Sequence, residues 1–306
     1  MAISMEDKDK LAYLERLQIP YEKKGKEKYF IFQYLSGAGN ELGAKFWSPH
    51  SSSRMAFELY SVLAENKRVL DFEFERQLPG LNSGGMGPNM DVFIETEDEL
   101  IFVESKFTES ARLDYINRKK LNDSYLSPAY FQKEKYGRSS KSLTERFWKE
   151  NIGERFSNFC YDWQKVLDDH PEWRGTTDWF EPKQETCHLS GIFGYLFQNT
   201  DQIKGKKIRL YNVFWALAGD GKSELEKSFI LLANQLIKDI ISLNREKFGD
   251  LDFQMDAFSV QEMLNKPQLL SRHITDFGED VELRLAPFNK EAGTKTRKNF
   301  RRTDKE

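Results

Sequence analysis

The sequence predicts an α/β fold: a central mixed β-sheet flanked by helices, carrying a large, mostly helical insertion. Three observations lead there. The stretch "MDVFIETEDELIFVESKF" (90–107) is apolar on both faces around a short polar break, as a hairpin buried inside a sheet is. "KKIRLYNVFWAL" (206–217) is again apolar on both faces, as a central strand is. Helical periodicity precedes the first strand and the last, giving the order helix, strand, strand, strand, helix, strand.

The elements follow in chain order. A polar helix is expected near Glu6 to Leu17, then "YFIFQYL" (29–35) as a strand or the start of a buried helix. "SGAGNELGAKF" (36–46) reads as a turn, because Gly37, Gly39 and Gly43 miss the spacing of a dinucleotide-binding fingerprint. "SSSRMAFELYSVLAEN" (51–66) opens on serines suited to an N-cap and sets Met55, Leu59, Val62 and Leu63 on one stripe, predicting a helix. Glu58 borders that stripe and is able to point inward. "RVLDFEFERQL" (68–78) alternates Leu70, Phe72 and Phe74 with Asp71, Glu73 and Glu75, a half-buried strand. After the insertion, "QETCHLSGIFGYLFQ" (184–198) is a helix with Gln184, His188, Gly191 and Tyr195 along one stripe.

The hairpin carries the chemistry. With Glu97-Asp98 as a two-residue turn, paired residue numbers sum to 195, so Phe93 faces Phe102 and Asp91 faces Glu104, at roughly 4.5 to 5.5 Å between Cα atoms. Lys106 shares a face with Glu104. Two close carboxylates repel unless a cation sits between them, and oxygen ligands of this kind suit Mg²⁺ or Mn²⁺. A lysine beside such an ion stabilises developing phosphorane charge or orients attacking water. The combination implies metal-assisted phosphodiester hydrolysis. The plainer alternative is an Asp91–Lys106 ion pair at a sheet end with Glu104 exposed.

Asp91, followed after a hairpin by Glu104-Ser105-Lys106, resembles the signature of the PD-(D/E)XK nuclease superfamily in its E-x-K form. The element order resembles that superfamily's restriction-endonuclease-like core. "GAGNELGAKFWSPHSSSRMAFELY", "DFEFE" and the hairpin together resemble a bacterial group of restriction-endonuclease-like proteins, well over 36–108 and loosely over 184–217. The resemblance implies a DNA endonuclease of restriction or anti-phage defence, with Asp91 and Glu104 as metal ligands and Lys106 as the catalytic lysine. It implies Glu58 as a third acidic ligand, Mg²⁺ or Mn²⁺ as cofactor, and Gln184 and His188 as secondary polar groups. Met90 stands where the superfamily's proline usually precedes the aspartate.

The expected organisation is one domain over 1–306, with its core at 29–110 and 181–290, the insertion at 111–180 and a basic, disordered tail at 290–306. The net charge of −3 gives no global pull toward a polyanion. Within the insertion, however, basic residues outnumber acidic ones and alternate with aromatics such as Tyr115, Tyr125, Tyr130 and Phe131. That mixture can neutralise phosphates and stack on bases, making Arg112, Arg118, Lys119, Lys120, Arg138 and Lys141 candidates for nucleic-acid contact; equally, the aromatics can be the insertion's own core.

"WALAGDGKSELEK" (215–227) imitates a phosphate-binding loop, but Ala216 stands where that motif needs glycine, leaving an NTPase as a weak rival. A nucleic-acid-binding module without turnover is the other. Only Cys160 and Cys187 are present, which fits neither a disulfide framework nor a zinc site. The N-terminus lacks an apolar signal core and no apolar run could span a bilayer, so a cytoplasmic setting without a membrane partner is expected. Cutting both strands of a duplex would be served by a homodimer.

Overall fold

In the computed structural model of the chain, the hairpin register sums to 195: Val92 pairs Val103, Phe93 pairs Phe102 and Ile94 pairs Ile101. The structure describes residues 6–37, 41–43, 45–48, 50–79, 87–107, 121, 123–131, 152–175, 180–216, 223–275, 277 and 280–289. Strands β1 (Pro20–Lys23) and β2 (Lys26–Tyr29) form a small hairpin of their own. The main sheet runs β3-β4-β5-β6-β7, with β3 (Asp71–Gln77), β4 (Asn89–Glu95), β5 (Glu99–Lys106), β6 (Lys207–Phe214) and β7 (Phe253–Ser259). The first three strands are antiparallel and the last three parallel, so the sheet is mixed and β4 and β5 are interior.

Strand alternation sorts the apolar residues into two layers. Val92, Ile94, Ile101 and Val103 face one way, with Phe72 and Phe74, and are covered by α2 (Phe30–Ser36), α3 (Ser52–Tyr60), α8 (Val260–Asn265) and a helical run at 281–289. Phe93, Phe102, Ile208 and Leu210 face the other way, against α4 (Glu154–Asp169), α5 (Pro182–Gln198) and α6 (Glu224–Leu243). A short α7 (Arg245–Phe248) links α6 to β7. Both faces of the hairpin are thus buried, as its two-sided apolar pattern requires.

Some elements take one of the alternatives the sequence allowed, and others depart from it. "YFIFQYL" is helical, because Phe30 and Tyr34, one turn apart, both bury against Phe74. The serine cap is realised at Ser51, whose hydroxyl accepts the Arg54 amide at 3.0 Å. That helix ends at Tyr60 and continues only as a 3₁₀ turn. Strand β3 is more than half-buried, since Asp71 and Glu75 are buried beside Phe72 and Phe74. The β1–β2 hairpin and β7 were not expected, although β7 alternates, with Phe253, Met255 and Ala257 buried and Gln254 and Asp256 exposed. The N-terminal α1 (Asp7–Leu17) joins the core through Leu17, and Tyr21 joins it from β1.

Of the insertion's aromatics, Tyr125 and Phe131 lie buried against α4, so their rings serve packing and are not open to bases. Arg112, Arg118, Lys119, Lys120, Arg138, Lys141 and the tail beyond 289 lie outside the described residues, as does 217–222 of the glycine-lysine-serine segment. Ser223, the end of that segment, spends its hydroxyl as the N-cap of α6, accepting the Glu226 amide at 3.1 Å. Among the described residues no helix is long and apolar enough to cross a membrane. Cys160 and Cys187 are free thiols.

Candidate active site

The site forms where the β4–β5 ladder ends. Beyond Val92↔Val103 the strands stop pairing, and the Asp91 carboxylate takes over as acceptor: its Oδ2 receives the Ser105 amide at 2.7 Å. Asp91 is therefore fixed to the start of the Glu104-Ser105-Lys106 segment by its own side chain. On β5, Lys106 Nζ donates to Glu104 Oε1 at 2.7 Å, and both residues are buried.

Helix α5 closes the site from one side, and two glycines decide how near it comes. A Cβ at Gly191 would lie 2.5 Å from Pro88 Cγ, and one at Gly194 would lie 2.9 Å from the Pro79 carbonyl oxygen. Only glycine admits that approach of the helix to the β3–β4 connection. The first turns of α5 are thereby set against β5. Gln184 accepts from Lys106 Nζ at 2.5 Å and donates to Glu104 Oε1 at 2.6 Å, tying lysine and glutamate into a triangle. His188 is buried, its Nε2 lying 3.6 Å from Glu104 Oε2. It faces the carboxylates of Glu104 and Glu185.

Two acidic residues that the sequence reading did not single out join the site. In the β3–β4 register, Phe74 pairs Val92 and Arg76 pairs Met90, which sets Glu75 across from Asp91. Glu75 has φ 51°, a left-handed conformation costing a non-glycine residue roughly 1–2 kcal/mol. The backbone twist there throws Arg76 over the Phe93 ring at 3.8 Å and leaves Glu75 against Gly37, where a Cβ would sit 3.1 Å from the Glu75 Cβ. Glu41, from the same glycine-rich loop, is buried and held by the Ser53 hydroxyl at 2.8 Å. The loop expected to be a plain turn is thus one wall of the acidic site.

Glu58 goes elsewhere. It is buried, but both of its oxygens take the Arg16 guanidinium, at 2.7 and 2.9 Å, so the expected ligand set of Asp91, Glu104 and Glu58 is not assembled. A bidentate arginine already pairs the charge of this buried carboxylate.

The electrostatics are those of acid crowded out of water. Burial, then Glu104 and Glu75, hold the Asp91 carboxyl well above the usual carboxylate range, against the pull of Lys106 and the Ser105 amide. Burial, Glu41 and Glu104 push Glu75 up to about 8. For His188 burial acts to lower the pKa, yet Glu104 and Glu185 outweigh it and raise the imidazole above its ordinary value. The Tyr34 phenol is raised by burial and then by Glu75, Asp91, Glu41 and Glu58, recording the negative field of all four. Such a cluster of mutually raised acids is stabilised by a cation.

Among the described residues no three His, Cys, Asp or Glu side chains converge in a cluster that would hold a metal ion alone. Asp91 and Glu104 offer instead a two-carboxylate site. Glu104 Oε2 is buried without a hydrogen-bond partner, and Asp91 is raised by its neighbours, which is how residues that await a cation look. Mg²⁺ is commonly bound in this way, one or two carboxylates being completed by waters and substrate phosphate. Comparison with protein-family models, with curated protein sequences and with solved structures finds no match to the chain.

Proposed function

We propose that the chain is a divalent-metal-dependent endonuclease that hydrolyses DNA phosphodiester bonds with Asp91, Glu104 and Lys106. The observation carrying this reading is that Asp91 is tied by the Ser105 amide to the Glu104-Ser105-Lys106 segment just past the end of the strand ladder, with Lys106 and Gln184 gathered on one glutamate oxygen and the other left without a hydrogen bond. The resemblance to the PD-(D/E)XK superfamily supports it. So does the restriction-endonuclease-like order of elements around the hairpin.

Asp91 and Glu104 would hold Mg²⁺ or Mn²⁺, which when bound supplies Lewis-acid stabilisation of phosphate charge. Lys106 is placed to orient the attacking water and to offset charge on the phosphorane. Gln184 holds the ammonium in position, since it bonds both Lys106 and Glu104. Glu104 and Lys106 are buried, which strengthens their interaction relative to water.

Cleavage of plasmid DNA with Mg²⁺ or Mn²⁺ tests the reading, extended to modified phage DNA, single strands and RNA to define the substrate. Wild type is expected to cut, and Glu104→Ala and Lys106→Ala to lose at least about 100-fold. DNA binding without any cut by wild type would leave a binding module instead. Analytical ultracentrifugation with DNA bound tests for two copies on one duplex.

A further inference from the structure

Glu104 divides its two oxygens. Oε1 takes Lys106 and Gln184, whereas Oε2 faces His188 Nε2 at 3.6 Å. The other ring nitrogen of His188, Nδ1, lies 3.6 Å from Glu185 Oε1. Glu185 Oε2 in turn accepts the Asn212 amide at 3.0 Å. Asn212 stands beside Glu104 in the β5–β6 ladder, so the line of groups returns to the strand from which it began.

All four residues are at most 2% exposed. A carboxylate buried as deeply as Glu185 costs several kcal/mol of desolvation unless something charged repays it. Leucine or glutamine would fill the volume at this layer without that cost. The group Glu185 serves is the imidazole, which stands at equal distance from an oxygen of Glu104 and one of Glu185. Glu185 fixes the negative charge that Nδ1 faces, and His188 is the partner that Glu104 Oε2 faces beyond the contacts to Oε1. Histidine orientation is ordinarily fixed in this way, by what the second ring nitrogen contacts.

We propose that Glu185, braced by Asn212, is a positioning residue: it holds His188 so that Nε2 orients Glu104 Oε2, the oxygen left for a divalent cation. This rests on the nuclease reading for the identity of the cation, and on the side-chain geometry for the rest. Partners of metal-binding side chains typically contribute 10- to 100-fold to metal affinity when they act in this role.

The test is a double-mutant cycle on Mn²⁺ affinity, measured by calorimetry on the full chain without DNA. Glu185→Gln keeps an oxygen for Asn212 and a similar shape, so its fold is expected to hold, with circular dichroism as the check. Glu185→Gln and His188→Asn are each expected to weaken Mn²⁺ binding about 10-fold. The double variant is expected to be no weaker than His188→Asn alone, because Glu185 acts through the histidine. In metal-free protein, Glu185→Gln should also move both ring-nitrogen resonances of His188.

Losses that multiply in the double variant, or wild-type Mn²⁺ affinity in Glu185→Gln, would overturn the proposal. A wild-type protein that binds Mn²⁺ with this pattern of coupling but leaves DNA intact would remove the nuclease reading and support the positioning role. A wild type that binds no Mn²⁺ would remove both.

Discussion

The β4–β5 hairpin carries buried acid at both of its ends, and the two ends are built in opposite ways. Near the turn, Asp71, Glu73 and Glu95 meet Lys24, Lys28, Arg76 and Lys206. Lys28 reaches Asp71 at 2.6 Å and Glu73 at 3.0 Å, Lys206 reaches Glu95 at 3.3 Å, and Lys24 pairs Glu95. At the open end, Glu41, Glu75, Asp91 and Glu104 are gathered around Lys106, with Lys45 reaching Glu41 from outside. Among the described residues, cations match the acid at one end and fall short of it at the other. Acidity alone is no mark of a site; a deficit of partners for buried acid is.

The largest expected effect separates the ends by activity. Glu104→Ala should lower DNA cleavage by about 10³-fold, as the loss of a group that meets the reacting centre does. Glu95→Gln, equally buried at the paired end, should leave cleavage within about two-fold of wild type. Equal loss in the two variants, under conditions where both are folded, would erase the distinction drawn between the ends.

Stability should separate them by sign. Glu95→Gln removes the buried charge that pairs Lys24 and Lys206, leaving Lys24 only Asp71 at 3.9 Å and Lys206 the Thr96 carbonyl, and breaking a buried pair is destabilising. Because Lys24 is 41% exposed, solvent screens part of that loss, and a decrease of roughly 2 kcal/mol in urea unfolding is expected. Glu75→Gln removes one of several carboxylates that repel each other, so metal-free protein at pH 8 should become more stable, with a higher Tm. Its cleavage rate should nonetheless fall, since the charge that destabilises the empty site is part of what draws the cation.

How much of this was legible in the sequence follows from which contacts are local. The hairpin turn is two residues long, so the register could be computed from residue numbers, and the structure has it as far as Val92↔Val103, beyond which the Asp91 carboxylate accepts the Ser105 amide. Gln184 was legible as a position on a helical stripe, and it reaches Lys106. Glu75 was not, because the β3–β4 connection is long and its register cannot be counted from the turn. Its left-handed φ also breaks the alternation that marks β3 as a strand. Glu41 sat in a loop read only for its glycines. Glu58 misled because burial of a helical glutamate was legible whereas its partner Arg16, 42 residues away, was not. The core followed periodicity closely, but Glu185 and Asn212 depend on the packing of α5 against β6, which no local pattern encodes.

The dependence of stability on pH should also belong to one end. Glu75 titrates at about 8 in the folded protein against an ordinary value of 4.5. Between those values the folded state retains a proton that the unfolded chain has released. The unfolded state therefore binds fewer protons, and stability falls as pH rises through this window. Asp91 is raised in the same direction and adds to the slope. The metal-free protein should show a Tm that declines steadily from about pH 4.5 to about pH 8. Saturating Mg²⁺ should flatten that decline, because a bound cation favours the ionised carboxylates. Glu75→Gln should flatten it without metal, whereas Glu95→Gln should leave the slope as it is. Thermal unfolding across this pH range, with and without Mg²⁺, reads all four outcomes, and a slope that Glu75→Gln does not change would place the unpaired acid elsewhere in the molecule.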